Sequence, residues 1–446
     1  MGIAFDDVLM FLFSISAAQS QTTLESLQCH FTWDLDYSKP QLYRLRDRLE
    51  DVCTDRGNRW LGHFYNLQGF IQFKLEKYED AKRLFNKAAE VFSELRHADE
   101  GPWLVVNYGN LAWLHHHLGE DEESQAYLSK VDALMKKYPP PSQSELHPEI
   151  HAEKAWTLIY MTEEFNAAVD HFEKAARMQP DMVDWNSSYV IHLVKAQEHN
   201  TGEVEADLLE KIRAAKERDP ENLYLAVLYL EQRAKKGEKV QEEVREFARN
   251  NLGSLSCSYS CMRLLLEVYK NHLSIDEAID LAEEALKMHP DRRHLKKNAA
   301  LCYRWKMLFF RDSPTRPGMK DRAISLHEEL LSLYPDSQLL KKIDLATVYA
   351  KSGYKAEAEQ IYQELLQDEL DPADKQLLYN TYARYLYYDQ HDRDGSIRYH
   401  MKAAEIPVRS CFGKGSMRVL NKIKDRGQHR MCPEIEEFLK NLQVLE

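Results

Sequence analysis

The feature that most constrains this chain is a recurrent spacing of small and large apolar residues. The clearest unit runs Leu345, Ala346, Tyr349, Gly353, Ala358, Tyr362 and Leu365, and closes near Pro372. Small residues at Ala346 and Ala358 let two antiparallel helices approach closely, the large residues fill the remaining space, and the proline stops the second helix. The second half of the pattern recurs at Ala168, Phe172, Ala175 and Pro180, at Leu208, Ile212, Ala215 and Pro220, and at Ala278, Ala282, Ala285 and Pro290. Ala323, His327, Leu330 and Pro335 repeat it, and Ser396, His400, Ala403 and Pro407 do so more loosely. Earlier copies are Gly69, Ala81, Phe85 and Ala88, then Ala112, Gly119, Ser124, Leu128 and Val131. Such units are helical hairpins that cannot bury their apolar faces alone, so they stack. The expected fold is all-α: a tetratricopeptide-repeat superhelix, or α-solenoid, with extra non-repeat helices where the spacing loosens between Pro180 and Pro290. Ser313–Met319, holding Pro314, Pro317 and Gly318, reads as a loop inside a unit.

Composition agrees with helices. The 446 residues include only 16 Gly and 15 Pro, with 44% apolar and 29% charged residues. A net charge of −13 excludes a surface that attracts nucleic acid everywhere. The charge is unevenly spread, however. Lys287–Arg322 holds eleven Lys/Arg against Asp291, Asp312 and Asp321, and Arg409–Arg430 holds seven against Asp425 alone. An acidic exterior can therefore coexist with a locally positive groove, or these runs are solvated helix faces. The seven cysteines are scattered and form no Cys-x-x-Cys pair, which argues against a structural zinc site or a disulfide framework and for reduced thiols. Val8–Ala18 is apolar, but Asp6 and Asp7 stand where a secretory signal carries positive charge, and the stretch is too short to span a bilayer. No membrane association is expected.

Chemistry is hard to find. No Gly-rich loop precedes Lys-Ser or Lys-Thr, and Phe412-Gly413-Lys414-Gly415 lacks the upstream glycine and strand of a phosphate loop. His147 and His151 lie four apart, but no Glu follows the first, and Pro148-Glu149 suits a helix first turn. His115-His116-His117 point about 100° apart on a helix and cannot converge on one ion. Neither a nucleophile elbow nor an acid/base pair emerges, so the expected protein is not an enzyme and needs no cofactor or metal. The 24 Tyr and 7 Trp are mainly core positions, yet some should line the concave surface, where aromatic faces stack on bases and Lys and Arg pair with phosphates.

One stretch is not explained by the repeat: Leu27-Gln28-Cys29-His30-Phe31-Thr32-Trp33. Together with Asn107–Gly119, Pro148-Glu149 leading to Ala155–Leu158, Asp219–Tyr224 and Leu301-Cys302-Tyr303, it resembles the interferon-induced proteins with tetratricopeptide repeats, from about residue 24 to 430. The resemblance implies a cytoplasmic, interferon-induced antiviral protein. Its expected ligand is the end of a single-stranded viral RNA, a 5′-triphosphate or an incompletely methylated cap, held in a positive channel and thereby kept from translation. The translation initiation machinery and related tetratricopeptide proteins are the further partners it implies. It also makes residues 1–23 an N-terminal extension, ahead of an N-terminal repeat bundle (24–200), central repeats (201–335) and C-terminal repeats with a basic end (336–446), short of a final repeat pair of longer members.

The implied RNA-binding residues are carried over one by one. Arg48 and Arg263 match phosphate-contacting positions, and Trp156 matches an aromatic that stacks on a cap base, with Ile191 as its apolar neighbour. Lys195 stands for the usual Arg, keeping charge and losing the bidentate fork; Phe165 stands where Tyr is usual; Asn222 and Tyr224 match inward-facing polar positions. Lys297-Asn298 replace a His-Gln pair. Departures are Val52 in place of a polar Gln, and Tyr160 and Glu267 in place of Lys. The alternative reading is a repeat scaffold that grips partner proteins in antiviral signalling or translation control without binding RNA ends.

Overall fold

The computed structural model describes residues 21–52, 58–142, 145–162, 165–200, 206–310, 314 and 316–445. Among these the regular structure is helical, with no strand. Val8–Ala18 and most of the 1–23 extension lie outside the described residues. Among those described, no helix is long and apolar enough to cross a membrane.

The chain divides into two compact units, Met1–Val268 and Tyr269–Glu446. The first holds α1 (Lys39–Val52), α2 (Leu61–Lys74), α3 (Tyr78–Arg96), α4 (Val105–His117), α5 (Asp121–Lys137) and α6 (Pro148–Met161). It continues with α7 (Phe165–Met178), α8 (Val183–Asn200), α9 (Ala206–Arg218), α10 (Leu223–Lys235) and α11 (Gln241–Leu255) and contains the start of α12 (Tyr259–His272). The second holds α13 (Ile275–Met288), α14 (Arg293–Phe309), α15 (Met319–Leu333), α16 (Gln338–Ser352), α17 (Lys355–Gln367), α18 (Pro372–Tyr385), α19 (Arg393–Glu405), α20 (Cys411–Arg426) and α21 (Cys432–Leu445). Sequence neighbours pair as hairpins, α2 with α3, α4 with α5, α6 with α7, α14 with α13 and α15, α16 with α17 and α18 with α19.

The repeat spacing acts as expected. Ala81, Ala88, Ala112, Ala168, Ala175, Ala278, Ala285, Ala346 and Ala358 are all essentially inaccessible, each at a helix crossing. Gly69 shows why a small residue is required: a Cβ there would lie 2.6 Å from the ring of Phe85. Gly353 ends α16 at φ +102°, a backbone state that glycine adopts without strain, and its N–H bonds Ala350 O. Pro148 opens α6 at its first turn and His147 caps it, accepting from the Glu149 N–H at 3.2 Å. The two histidines four apart thus mark a helix start. The irregular stretch between Pro180 and Pro290 accommodates α11, whose buried Val244, Ala248, Leu252 and Leu255 follow their own helical spacing. In the expected loop, Gly318 takes φ +72° and α15 begins at Met319.

The opening Cys-His-Phe-Thr-Trp motif is a structural keystone. His30 is fully buried; its backbone N–H donates to Asn110 Oδ1 (3.1 Å), so the Asn110 amide nitrogen faces His30 Nδ1 (3.0 Å). Nδ1 is therefore the acceptor, and Nε2–H donates to Thr157 Oγ1 at 3.1 Å. One imidazole thereby ties the first turn to α4 and α6. Burial pushes its pKa down to about 3, so the ring is neutral. Beside it, Asn66 donates to Glu153 (2.8 Å) and accepts from Asn107 (2.7 Å), linking a second set of buried polar groups in which Asn107 Oδ1 has no hydrogen-bond partner among the described residues.

Candidate nucleic-acid interface

A cavity of about 490 Å³ opens inside the first unit, between the end of α1, the start of α2 and helices α6, α8, α10 and α12. Its wall includes Trp60, Phe64, Trp156, Tyr160, Ile191, His192, Lys195, Asn222 and Tyr224. Five residues singled out from sequence, Trp156, Ile191, Lys195, Asn222 and Tyr224, thus face one hollow although they come from three helices. Helical period explains the convergence. Trp156 and Tyr160 are one turn apart on α6, as are Ile191 and Lys195 on α8.

The aromatic wall is a cluster. Trp156 meets Phe64 edge-on (ring centroids 4.3 Å, 76°), leans on Tyr160 (4.5 Å) and runs nearly parallel to Trp60 at 6.4 Å. Arg48, not itself a wall residue, lies over the Tyr160 ring at 5.0 Å, and Lys195 on the wall lies over the Tyr224 ring at 5.1 Å. Neither Arg48 nor Lys195 forms an ion pair among the described residues. The carboxylates around Lys195 are engaged elsewhere: Lys235 binds Glu198 (2.7 Å) and Glu231 (2.9 Å). Burial, then the positive charge of Arg48, pushes the Lys195 pKa down to about 8. The two cations thus lie near each other with no ion-pair partner among the described residues, while Glu198, Glu267 and Glu231 pull the Lys195 pKa partly back up. His192, beside them, donates from Nδ1 to Ser188 O (2.7 Å), and burial followed by the Lys195 charge lowers its pKa to about 3, so it adds no charge. Burial pushes the Tyr224 hydroxyl up and keeps it neutral.

The cavity wall is not uniformly positive. Asp184, Asp219 and Glu221 line it too, gathered on Arg59 at 2.7, 3.5 and 3.9 Å. Asp219 also accepts from Ser187 (2.9 Å) and from the Asn222 amide (3.0 Å). Asn222 has a second duty, capping α10 by accepting from the Leu225 N–H. Sequence reading missed Arg59, Asp184, Asp219 and His192 as site residues. Only the Asp219–Tyr224 stretch hinted at them.

Other expected residues sit apart. Arg263 is tied to Glu267 one turn away (2.9 Å) and does not line the cavity. Phe165 packs on His199 (5.7 Å) and is not on the cavity wall either. Lys297 and Asn298 belong to the second unit. Lys297 approaches the buried Tyr334 ring (5.4 Å), which Arg293 and Lys341 also flank at 4.7 and 4.5 Å. Asn298 is buried, and neither its amide oxygen nor its nitrogen has a hydrogen-bond partner among the described residues.

Comparison with known proteins agrees with this architecture. Residues 61–137 match the tetratricopeptide repeat family. Protein IFIT1 homolog B of Homo sapiens is 25% identical over 435 residues, covering 93% of this chain and 90% of the relative. Interferon-induced protein with tetratricopeptide repeats 2 of Mus musculus is 25% identical over 419 residues, covering 91% and 87%. Over nine-tenths of its length the chain is thus similar to interferon-induced proteins with tetratricopeptide repeats. Among solved structures, the human IFIT1 dimer with m7Gppp-AAAA superposes with a TM-score of 0.67 at 24% identity, covering 95% of this chain and 96% of that one. The human IFIT1 dimer with PPP-AAAA gives 0.64 at 24% identity. These likenesses fix the fold of this chain as a tetratricopeptide-repeat solenoid.

Proposed function

We propose that this protein is an interferon-induced antiviral RNA-binding protein that captures the 5′ end of single-stranded RNA in the α1–α6–α8–α10 cavity. The observation that carries the reading is the pair Arg48 and Lys195, held without ion-pair partners next to an aromatic wall. A terminal phosphate group supplies the missing counter-charge, while a base or cap ring lies against the Trp156–Tyr160 side, with Ile191 as apolar support. The human structures bound to m7Gppp-AAAA and PPP-AAAA supply the ligand class for this chain. The carboxylates Asp184 and Glu221 limit how much phosphate the cavity accepts and offer acceptors to the N–H edge of a base.

The protein acts by binding and has no catalytic turnover. Its expected place is the cytoplasm, where sequestering an RNA end keeps that strand from the translation initiation machinery. Related tetratricopeptide proteins are its expected protein partners. Arg263, Phe165, Lys297 and Asn298 remain in the proposed RNA-binding set, outside this cavity.

The test is charge reversal. Arg48→Glu or Lys195→Glu weakens binding of 5′-triphosphate RNA at least tenfold and reduces its salt dependence, with a smaller effect on 5′-hydroxyl RNA of the same sequence. Equal losses for both RNAs, or no loss, overturn the proposal. The three carboxylates on the cavity wall favour a second reading, a scaffold for partner proteins. It requires partner binding that survives both reversals and no measurable affinity for RNA.

A further inference from the structure

A second cavity, of about 700 Å³, lies wholly within the second unit. Four elements build it: α18 supplies Asn380 and Arg384, α19 supplies Arg393 and His400, α20 supplies Phe412, Lys422 and Arg426, and the wide turn Leu386–Gln390 supplies Tyr387 and Tyr388. That turn is π-helical, a local distortion frequent at functional sites.

The charge pattern is one-sided. Arg384, Arg393, Lys422 and Arg426 all line the cavity, and no carboxylate does. None of the four forms an ion pair among the described residues. This is notable in a chain of net charge −13, where carboxylates are in surplus. Of the two acids that flank Arg393, Asp394 is engaged by His429 and Arg430, and Asp392 caps α19 by accepting from the Gly395 N–H. The polar floor is built as well. Asn380 donates to Ser416 Oγ (2.8 Å), whose hydroxyl is then free to donate to His400 Nδ1 (3.0 Å). This leaves His400 Nε2–H as a donor at a buried side chain that lines the cavity. At the rim, Tyr387 and Tyr388 are 45% and 55% exposed, with rings 4.9 Å apart and nearly perpendicular. Two exposed aromatic faces beside four unpaired cations match a ligand with a planar ring and a phosphate.

We propose that this cavity is a binding site for a nucleoside phosphate, with the base stacked on Tyr387 or Tyr388 and the phosphate held by Arg384, Arg393, Lys422 and Arg426. The site is independent of the α1–α6–α8–α10 cavity. Its ligand is either a free nucleotide or one nucleotide of an RNA strand.

The experiment titrates the full-length Lys195→Glu protein, in which the first cavity is disabled, with ATP, inorganic tripolyphosphate and 5′-hydroxyl tetra-adenylate by calorimetry. ATP or tetra-adenylate should bind, and Arg384→Gln/Lys422→Gln should weaken that binding at least tenfold. Tyr388→Ala should weaken it about fivefold or more, the low end of what a stacked base contributes. Far-UV circular dichroism checks that each variant is folded, and Tyr388, being surface-exposed, gives a variant that does not disturb the core. Binding of ATP alone identifies a free nucleotide as the occupant. Binding of tetra-adenylate alone identifies a nucleotide within a strand. Tripolyphosphate binding as tightly as ATP overturns the proposal, because the rings then contribute nothing, and so does binding that ignores all three substitutions.

Discussion

If Lys195 holds an RNA phosphate, binding must weaken as that lysine loses its proton, and the structure sets where. Its pKa is depressed to about 8, by burial first and by the Arg48 charge second. A triphosphate bound beside it restores an ordinary lysine pKa, so affinity follows the protonated fraction of the free protein. With a midpoint of 8, that fraction falls roughly eightfold between pH 7.5 and 9, which corresponds to about 1.2 kcal/mol of binding free energy. Working above pH 7.5 keeps the RNA terminal phosphate ionised throughout. The assay is fluorescence anisotropy of a 5′-triphosphate oligoadenylate at constant ionic strength. Lys195→Arg is the control, because a guanidinium stays charged over the whole range and its binding should be flat. Arg48→Gln should lower affinity at pH 7.5 and move the loss to higher pH, since the repelling neighbour is gone. If wild type and Lys195→Arg fall alike, or if neither falls, the placement of Lys195 against phosphate is refuted.

Three further outcomes concern the scaffold. His30 is neutral in the fold, with a pKa near 3 against 6.5 unfolded, so the unfolded chain binds more protons between those values and stability is lost as pH falls through them. Between pH 6.5 and 5 this residue alone accounts for about 1.6 kcal/mol, read as a lower urea midpoint in a Glu149→Gln background, where the opposing Glu149 titration is removed. Glu149 works in the opposite direction: burial raises its pKa to about 7, so its contribution is present below 4.5 and is lost as pH rises to 7, leaving an intermediate optimum in the wild-type urea series. Gly69→Ala should cost about 1–3 kcal/mol in thermal or urea unfolding, because its Cβ meets the Phe85 ring at 2.6 Å. Asp276→Ala should cost about 1.5–3 kcal/mol in the same measurement, since it removes the carboxylate 2.8 Å from the buried Lys306 ammonium.

The repeat architecture was legible because its determinants are local. A proline five residues after a small residue, and alanines at helix crossings, act within one hairpin and leave a mark at fixed offsets. The Cys-His-Phe-Thr-Trp block stood out as foreign to the repeat, but its purpose was not readable. His30 is satisfied by Asn110 and Thr157, 80 and 127 residues away. The cavity was half legible. Residues one helical turn apart, such as Trp156 with Tyr160 or Ile191 with Lys195, necessarily share a face. The carboxylates on Arg59 carried no such mark, because their convergence depends on how separate helices stack. Arg263 shows the opposite case: Glu267 lies one turn on, and the standard i,i+4 pairing that engages it was visible in the sequence. The basic run Arg409–Arg430 looked like a solvated helix face or part of a groove. The fold turns Lys422 and Arg426 from that run toward Arg384 and Arg393, a juxtaposition no spacing within α20 could reveal.

The central claim is that the α1–α6–α8–α10 cavity recognises an RNA terminus. Its most direct test is a gel-shift series on the wild-type chain with 5′-hydroxyl, 5′-triphosphate and capped RNAs of one sequence. Tighter binding of the triphosphate or capped strand than of the hydroxyl strand, by tenfold or more, is the result expected. Three indistinguishable curves would contradict the account.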